Sequence, residues 1–497
     1  MNSVSTTPRD LARITLALLI AFGIVALAGT YWSVVAAPDL RARDDNARNI
    51  IAEQRIRRGA LLDRRGEPLA VSVKTANGLM VRQYPHVAAA SATGYYSLTY
   101  GTAGIEAACD AWLRGDQGRG DLQTLLDDLL HRAPQGGDVR ATLDLRVQQA
   151  VAEALVGRVG AAIVLDVPSG AVRALVSQPG FDPNTLDARW DSLVANQSAP
   201  LLNRVTAGLY QPGGVFQTVL LATLFAAQPD LSDRGAAMLA QPAADLSAPV
   251  RVDDLTLGCL RQPPADALTL ADAYAFGCPA PFLALAENAL SAEAVRQRME
   301  ALGLLDIPTL AGLPTAPAPV SLPAVPVSPA AQTALLAGQG ALTITPLHLA
   351  QIVAAIAHGG NSVPLRLVDA VRPPDSRQWQ PLPDAGQTRE QAMLRAEVAA
   401  ALEEALAYAA RTNPDTASAA PSDTPLFGHS ALAFAGPQET PYAWFYGYVR
   451  TEGTGSTRAI VVVVVLENER NPARTAQVAR AAFEAALQNG DPPSGPA

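Results

Sequence analysis

From Ile14 to Ala37 the chain carries no charged residue. Inside a bilayer, backbone N–H and C=O groups must pair within the segment itself, so a lone uncharged run of this length has to be helical. About 20 residues reach across the hydrocarbon core. Tyr31 and Trp32 stand near the far end, where amphipathic rings favour the interface, and Arg9 and Arg13 precede the run. Basic residues before a first span keep that side in the cytoplasm. The expectation is a single-pass anchor in the cell membrane at 14–37, with residues 1–13 cytoplasmic and everything after Pro38 outside the cytoplasm. A cleaved signal peptide, with Ala26-Leu27-Ala28 as cleavage-like site, is the rival reading. The run exceeds the usual apolar core of a signal peptide, which favours the anchor.

At 497 residues the chain exceeds one compact core, so two or more domains are expected. A net charge of −9 leaves no electrostatic footprint for nucleic acid. Cys109, Cys259 and Cys278 are the only cysteines, too few for a disulfide framework, and one bridge between Cys259 and Cys278 stays open in an oxidising compartment. These cysteines and the five histidines show no zinc-type spacing, so neither metal nor cofactor is expected. Lys74 is the only lysine.

Asp39 to Glu53 reads as a charged, solvated stalk. Arg58 to Ala70 then reads as a hairpin, two short apolar runs flanking a turn rich in Asp and Gly. Gly94 to Tyr100 adds an alternating aromatic strand, and Leu122 to Leu130 a short amphipathic helix. Pro134-Gln-Gly-Gly137 marks a boundary, which gives a small β-rich module at 38–138. Beyond it, Val139 to Leu143, Gly160 to Asp166 and Val172 to Val176 read as strands, the last two joined by the turn Pro168-Ser-Gly170. Alanine-rich helices follow between Asp233 and Leu304, then an extended proline-rich loop from Pro308 to Val327. Thr345 caps a helix with Pro346 at its first position. A helix near Arg395 to Ala410, strands at Ala443 to Val449 and Ala459 to Leu466, and a last helix near Ala473 to Leu487 complete the pattern. Strands at both ends with helices between them predict an α+β domain at 139–490, its sheet assembled from distant parts of the chain. Residues 491–497 form a Gly/Pro-rich tail, expected to be disordered.

Within that domain, Leu209-Tyr-Gln-Pro-Gly-Gly-Val-Phe-Gln217 leads into the apolar run Thr218 to Ala226. Pro212, Gly213 and Gly214 make a turn, and the residues after them read as a buried helix starting beneath it. Such a helix start is a common mount for a nucleophile or an anion.

These residues carry a family resemblance. Arg58-Gly-Ala-Leu-Leu-Asp-Arg-Arg-Gly-Glu-Pro-Leu-Ala70 resembles the first motif of class B penicillin-binding proteins. Thr142 to Gln149 is similar to the entry of their transpeptidase domain, Gly160 to Gly170 and Phe181 to Asn184 to its first strands and following loop. Gly338 to Asn361 and Ala443 to Tyr448 resemble later landmarks, and the module before Gly137 resembles that of actinobacterial members. The resemblance implies the penicillin-binding-protein/β-lactamase-like fold, a central antiparallel sheet flanked by helices. It implies a cell-wall role, with cross-linking of peptidoglycan stem peptides through an acyl-enzyme as the usual activity.

Three elements carry that chemistry in the family. In Ser-x-x-Lys the two side chains share a helix face, so that the amine takes the serine proton. Aligned on Pro212-Gly213, the positions here hold Gly214 and Gln217. For Ser-x-Asn, the matching stretch gives Gly277 and Pro279, with Cys278 between them. For Lys-Thr-Gly, the register falls on His429, Ser430 and Ala431. His429 is a cation in acid and Ser430 keeps a hydroxyl, but adjacent strand residues face opposite ways and cannot readily pair as base and nucleophile. No catalytic residue is assigned. A vestigial ligand cleft is expected around Gly214, Gln217, Cys278, His429 and Ser430, with Asp166 and Asp182 near it in structural roles. The leading expectation is an inactive transpeptidase-fold protein that binds a polytopic glycan polymerase, a division or elongation complex, or a stem peptide. The alternatives are an active transpeptidase or acyl hydrolase with a relocated nucleophile, and a reversible sensor of muropeptide or β-lactam.

Overall fold

The structure, a computed structural model, describes residues 8–32, 53–118, 120, 129–130, 134–228, 230–243, 245–252, 254–266, 269–313, 315, 328–374, 376–382, 390–436, 439–452 and 457–488. Helix α1 (Pro8–Thr30) contains one stretch, Ala12–Thr30, long and apolar enough to cross a membrane, and no protein surface covers it. The helix starts earlier than the uncharged run and takes in Arg9, Asp10 and Arg13. Residues 33–37 of the expected span lie outside the described residues, as do nearly all of the stalk, most of the expected helix at Leu122 to Leu130, most of the proline-rich loop and the tail.

The hairpin at Arg58 to Ala70 forms as strands β1 (Leu61–Leu62) and β2 (Pro68–Lys74). Asp63 shapes its turn, its Oδ1 accepting from the amides of Arg65 at 2.7 Å and Glu67 at 2.8 Å. Strand β3 (Met80–Gln83) continues the sheet beyond β2, on which Lys74 is exposed. The aromatic stretch is not one strand but a hairpin, β4 (Tyr95–Ser97) and β5 (Gly101–Ala103), because Gly101 takes a φ of 79° at the reversal. Strand β6 (Asp138–Ala141) pairs in parallel with β1.

Helix α2 (Leu145–Ala154) leads to β7 (Gly160–Val167) and β8 (Ala171–Gln178), antiparallel about the Pro168-Ser-Gly170 turn. Helix α3 (Phe216–Ala226) follows the glycine turn. The alanine-rich stretch also holds an unanticipated hairpin, β9 (Val250–Val252) and β10 (Leu255–Leu257), before helices α4 (Leu270–Ala275) and α5 (Pro279–Ala289). Helix α6 (Pro346–Ala357) has its expected cap at Thr345, and His348 completes the box by accepting the Thr345 amide at Nδ1, 3.1 Å away. Strand β11 (Val368–Arg372) pairs with β6 on one side and β12 (Gln380–Pro381) on the other. One six-stranded sheet, β12-β11-β6-β1-β2-β3, therefore joins the N-terminal module to the larger domain, and a boundary at 138/139 runs through it.

Helix α7 (Ala396–Thr412), strands β13 (Leu426–Ala435), β14 (Thr440–Glu452) and β15 (Thr457–Glu467), and helix α8 (Ala473–Gln488) complete the chain. The central sheet has the order β13-β14-β15-β7-β8, antiparallel throughout, with strands from both ends of the domain. Its middle strands are apolar on both faces because helices cover both. Val462 and Val464 pack with α2 and α8, while Val461, Val463 and Val465 face α6 and the core around α3. Two further ties fix the module to the domain. The Tyr84 amide donates to Asn184 Oδ1 at 2.9 Å, and Gln148 Nε2 donates to the carbonyl of Ala88 at 2.8 Å.

Candidate functional site

The turn ahead of α3 is glycine for steric reasons. Gly213 sits at a φ of 52°, and a Cβ there would lie 2.1 Å from the Leu432 carbonyl oxygen. Its amide donates to the Gly338 carbonyl at 2.7 Å, and a Cβ on Gly338 would in turn meet the Gly213 oxygen at 2.2 Å. Tyr210 and Ile344 exchange backbone bonds of 3.0 and 2.8 Å, and Trp444 Nε1 donates to the Gln211 carbonyl at 3.1 Å. The turn is thus held from three sides. Every α3 residue from Phe216 to Phe225 is buried, and Arg395 reaches the carbonyls of Phe225, Ala226 and Gln228 at its far end.

A cavity of about 140 Å³ opens at the start of α3. Gly213, Gly214 and Gln217 form one wall, Gly277 and Pro279 another, and Ala431, Leu432 and Phe434 of β13 a third; residues 256–260 close over it. The sequence placed Gly214, Gln217, Gly277, Pro279 and Ala431 together, and they meet around this one space.

Three other expected cleft residues do not contribute side chains to it. Cys278 is fully buried and bonded to Cys259, which answers the pairing question and removes its thiol. The bridge also ties residues 256–260, the end of β10 and the turn after it, over the cavity, where Leu260 packs so close to Gly277 that a Cβ there would lie 2.9 Å from the Leu260 Cβ. Ser430 faces away and accepts from Thr416 Oγ1 at 3.0 Å. His429, fully buried, stacks on Tyr274 with ring centroids 4.2 Å apart.

The His429 environment corrects the expectation of a cation. Its Nε2 lies 2.7 Å from the Tyr274 carbonyl, which can only accept, so Nε2 carries the proton and Nδ1 accepts from the Tyr446 hydroxyl at 3.2 Å. Burial pushes its pKa down to about 4, against the opposing effect of the Tyr274 carbonyl. The ring is neutral, and neither nitrogen is free. Thr218 closes the group, 2.8 Å from Tyr274 Oη and 2.6 Å from Tyr446 Oη. Burial pushes the Tyr274 phenol up to about 12 and Tyr446 well above its ordinary value, so neither is a base at neutral pH. This network of Thr218, Tyr274, Tyr446 and His429 was not read from the sequence; the hydroxyl of Thr218 inside an otherwise apolar helix was its only trace.

Asp166 and Asp182 do not line the cavity. Asp166 is paired with Arg173, at 3.0 Å, and with Arg458. Asp182 accepts the amide of Asn184 at 2.9 Å in a helical turn. Around the cavity itself, the described lining includes no serine, lysine, histidine, tyrosine or carboxylate. Thr256 is its one hydroxyl.

Comparison with known proteins places this arrangement. Residues 160–488 match the penicillin binding protein transpeptidase domain, and residues 58–139 match the penicillin binding protein A dimerisation domain. The chain belongs to the penicillin-binding protein transpeptidase family. It is 29% identical over 511 residues to the peptidoglycan D,D-transpeptidase PbpA of Mycobacterium tuberculosis, across 97% of this chain and 99% of that one. The PbpA of Mycolicibacterium smegmatis is 27% identical over 504 residues, with the same coverage. The structure of penicillin-binding protein A from M. tuberculosis as an imipenem acyl-enzyme complex superposes with a TM-score of 0.75 at 28% identity, covering 88% of this chain and 100% of that chain. Pseudomonas aeruginosa PBP2, 22% identical with a TM-score of 0.65, shares the fold.

Proposed function

We propose that this chain is a non-catalytic member of its family, held at the membrane by α1 with its folded part outside the cytoplasm, and that it serves peptidoglycan synthesis by binding. One observation carries the reading: among the described residues lining the cavity at the start of α3 there is no serine, no free thiol and no base, and its one hydroxyl, Thr256, has no base beside it. By the family's motif, Gly214 and Gln217 stand where the serine and lysine belong, and the sole lysine, Lys74, lies on β2 of the N-terminal module. Loss of a nucleophile alone costs roughly a millionfold in a serine hydrolase. The binding partner is a polytopic glycan polymerase or a division or elongation complex met through α1 and the module, with a stem peptide in the cavity as the ligand.

The second reading is an active acyl-transfer enzyme with a relocated nucleophile. It is favoured by the relatives, which are named D,D-transpeptidases along almost their whole length. Against it, Ser430 is sealed on the far face of β13, Cys278 is in a disulfide and both His429 nitrogens are engaged. Incubation of the full chain with a fluorescent penicillin, followed by a denaturing gel, separates the two. The non-catalytic reading predicts no fluorescent band, and a band that survives denaturation sinks it.

A further inference from the structure

We infer that a groove between the N-terminal module and the larger domain binds an uncharged saccharide strand. Such a site rests on the reading of a chain that serves peptidoglycan synthesis by binding, and it shares no lining residue with the cavity at the start of α3. The groove has a narrow part of about 330 Å³ and a wider part of about 670 Å³, both within the roughly 300–1,000 Å³ of ligand sites. Ser91 of the module and Ser177, Gly180 and Phe181 of the domain line both parts, so the two are continuous.

The walls offer rings and neutral hydrogen-bonding groups. Tyr95 on β4 and Phe181 meet edge to face in the narrow part, with ring centroids 5.9 Å apart. Aromatic faces are electron-rich and pack against the C–H groups on one side of a sugar ring. The hydroxyls of Tyr95 and of Thr102 on β5 have no partner among the described residues. Thr206 is the sharper case. It is only 2% exposed, and its hydroxyl is neither paired among the described residues nor closed off from the groove. A hydroxyl held among such walls wants a partner, and a sugar hydroxyl can donate to it or accept from it. In the wider part, Gln178 and Asn196 use their side-chain oxygens to accept the amides of Gly180 and Ser198, each at 2.9 Å. Both NH2 groups are left to donate, and sugar hydroxyls or acetamido carbonyls accept. Charge selects against an anion. No charged residue lines the narrow part, and Glu153 and Asp182 outnumber Arg189 in the wider one.

An extended peptide is the rival occupant, and the backbone beside the groove does not suit it. The groove follows the end of β8, an outer strand of the central sheet, where an added strand would need free N–H and C=O groups. They are taken. The Leu175 amide donates to Gln148 Oε1 at 2.8 Å, and the Leu175 carbonyl accepts from Gln148 Nε2 at 2.8 Å and Ser91 Oγ at 3.0 Å. The Ser177 amide donates to Ser91 Oγ at 3.3 Å, and Pro179 has no N–H to offer. Binding here falls to side chains and rings, the contacts a saccharide makes.

The test is calorimetric titration of the full chain, in a detergent without a sugar headgroup, with tetra-N-acetylchitotetraose, an uncharged N-acetylhexosamine strand. Saturable binding with a Kd of about 1 mM or tighter is expected. Hydrogen exchange should then slow at residues 90–104 and 176–206 and stay unchanged at 256–260. Phe181→Ala should weaken binding about tenfold and Thr206→Val about fivefold. No heat at millimolar saccharide overturns the inference, as does protection confined to residues around the α3 cavity. Protection of the groove by a stem peptide and not by the saccharide overturns it too. The wild-type exchange pattern decides the matter even where a variant fails to fold. A penicillin adduct would overturn the non-catalytic reading and leave this site standing, whereas absence of both adduct and saccharide binding would overturn the saccharide site alone.

Discussion

Gly214 and Ala431 share one methyl-sized space: a Cβ built on Gly214 would lie 3.2 Å from the Cβ of Ala431. In the family's motifs the helix position carries the serine and the facing strand carries glycine. On the non-catalytic reading proposed above, the methyl has changed sides, and any side chain added at Gly214 would press tightly on Ala431 of β13.

This makes the two glycines of the turn distinguishable by mutation. Gly214→Ala is expected to cost about 1 kcal/mol, and that cost should fall when Ala431→Gly is added, with a coupling of about 1 kcal/mol. Gly213→Ala should cost about 3 kcal/mol or more, since it combines a positive φ with a backbone oxygen 2.1 Å from the new Cβ. Urea midpoints measure both. A Gly213→Ala protein no less stable than Gly214→Ala would refute the geometry of the turn.

The buried His429 ties stability to pH. Its folded pKa of about 4 lies below the ordinary value near 6.5, so the unfolded chain takes up the proton first as pH falls. The stabilisation is complete above about pH 6.5, declines as pH drops and levels off near pH 4, an effect of about 3 kcal/mol at most. Denaturant unfolding at pH 7.5 and 4.5 should therefore show a smaller pH difference for His429→Gln than for the wild type. Identical differences would mean that the imidazole is not buried neutral.

The N-terminal module is held by a buried carboxylate between two guanidinium groups. Glu106 is fully buried and lies 3.0 Å from Arg58 and 2.6 Å from Arg82. Glu106→Gln leaves Arg82 without its carboxylate and Arg58 with Asp110 alone, at 2.8 Å, and should destabilise by about 3 kcal/mol. A chemical-denaturation shift below about 1 kcal/mol would show the cluster to be solvated.

The Cys259–Cys278 bridge spans 19 residues of sequence. A cross-link of that length restricts the unfolded chain by roughly 3 kcal/mol. Reduction, or Cys259→Ser with Cys278→Ala, should lower the denaturation midpoint accordingly and loosen residues 256–260. An unchanged midpoint, with the thiols verified as free, would contradict this.

Much of the framework was legible because its signals are local. Thr345 followed by Pro346 specifies a helix start within a few residues, and Pro168-Ser-Gly170 between two apolar runs specifies a hairpin. Strand alternation foretold that His429 and Ser430 would part company. It could not say that Tyr274, far away in sequence, and Tyr446, opposite on β14, seal the histidine, or that Thr416 takes the serine. The β9–β10 hairpin was hidden because three-residue strands leave no period to read. The pairing of β6 with β11 joins segments more than 200 residues apart, and its pairing with β1 also reaches far beyond any local pattern.

The most direct measurement is the intact mass of the full chain before and after exposure to benzylpenicillin and imipenem, with M. tuberculosis PbpA treated alongside. PbpA is expected to carry an acyl adduct and this chain to keep its mass, because the described residues around Gly214 include no base to activate their one hydroxyl, Thr256. A stoichiometric adduct on this chain would contradict the non-catalytic reading, and peptide mapping would then locate the nucleophile.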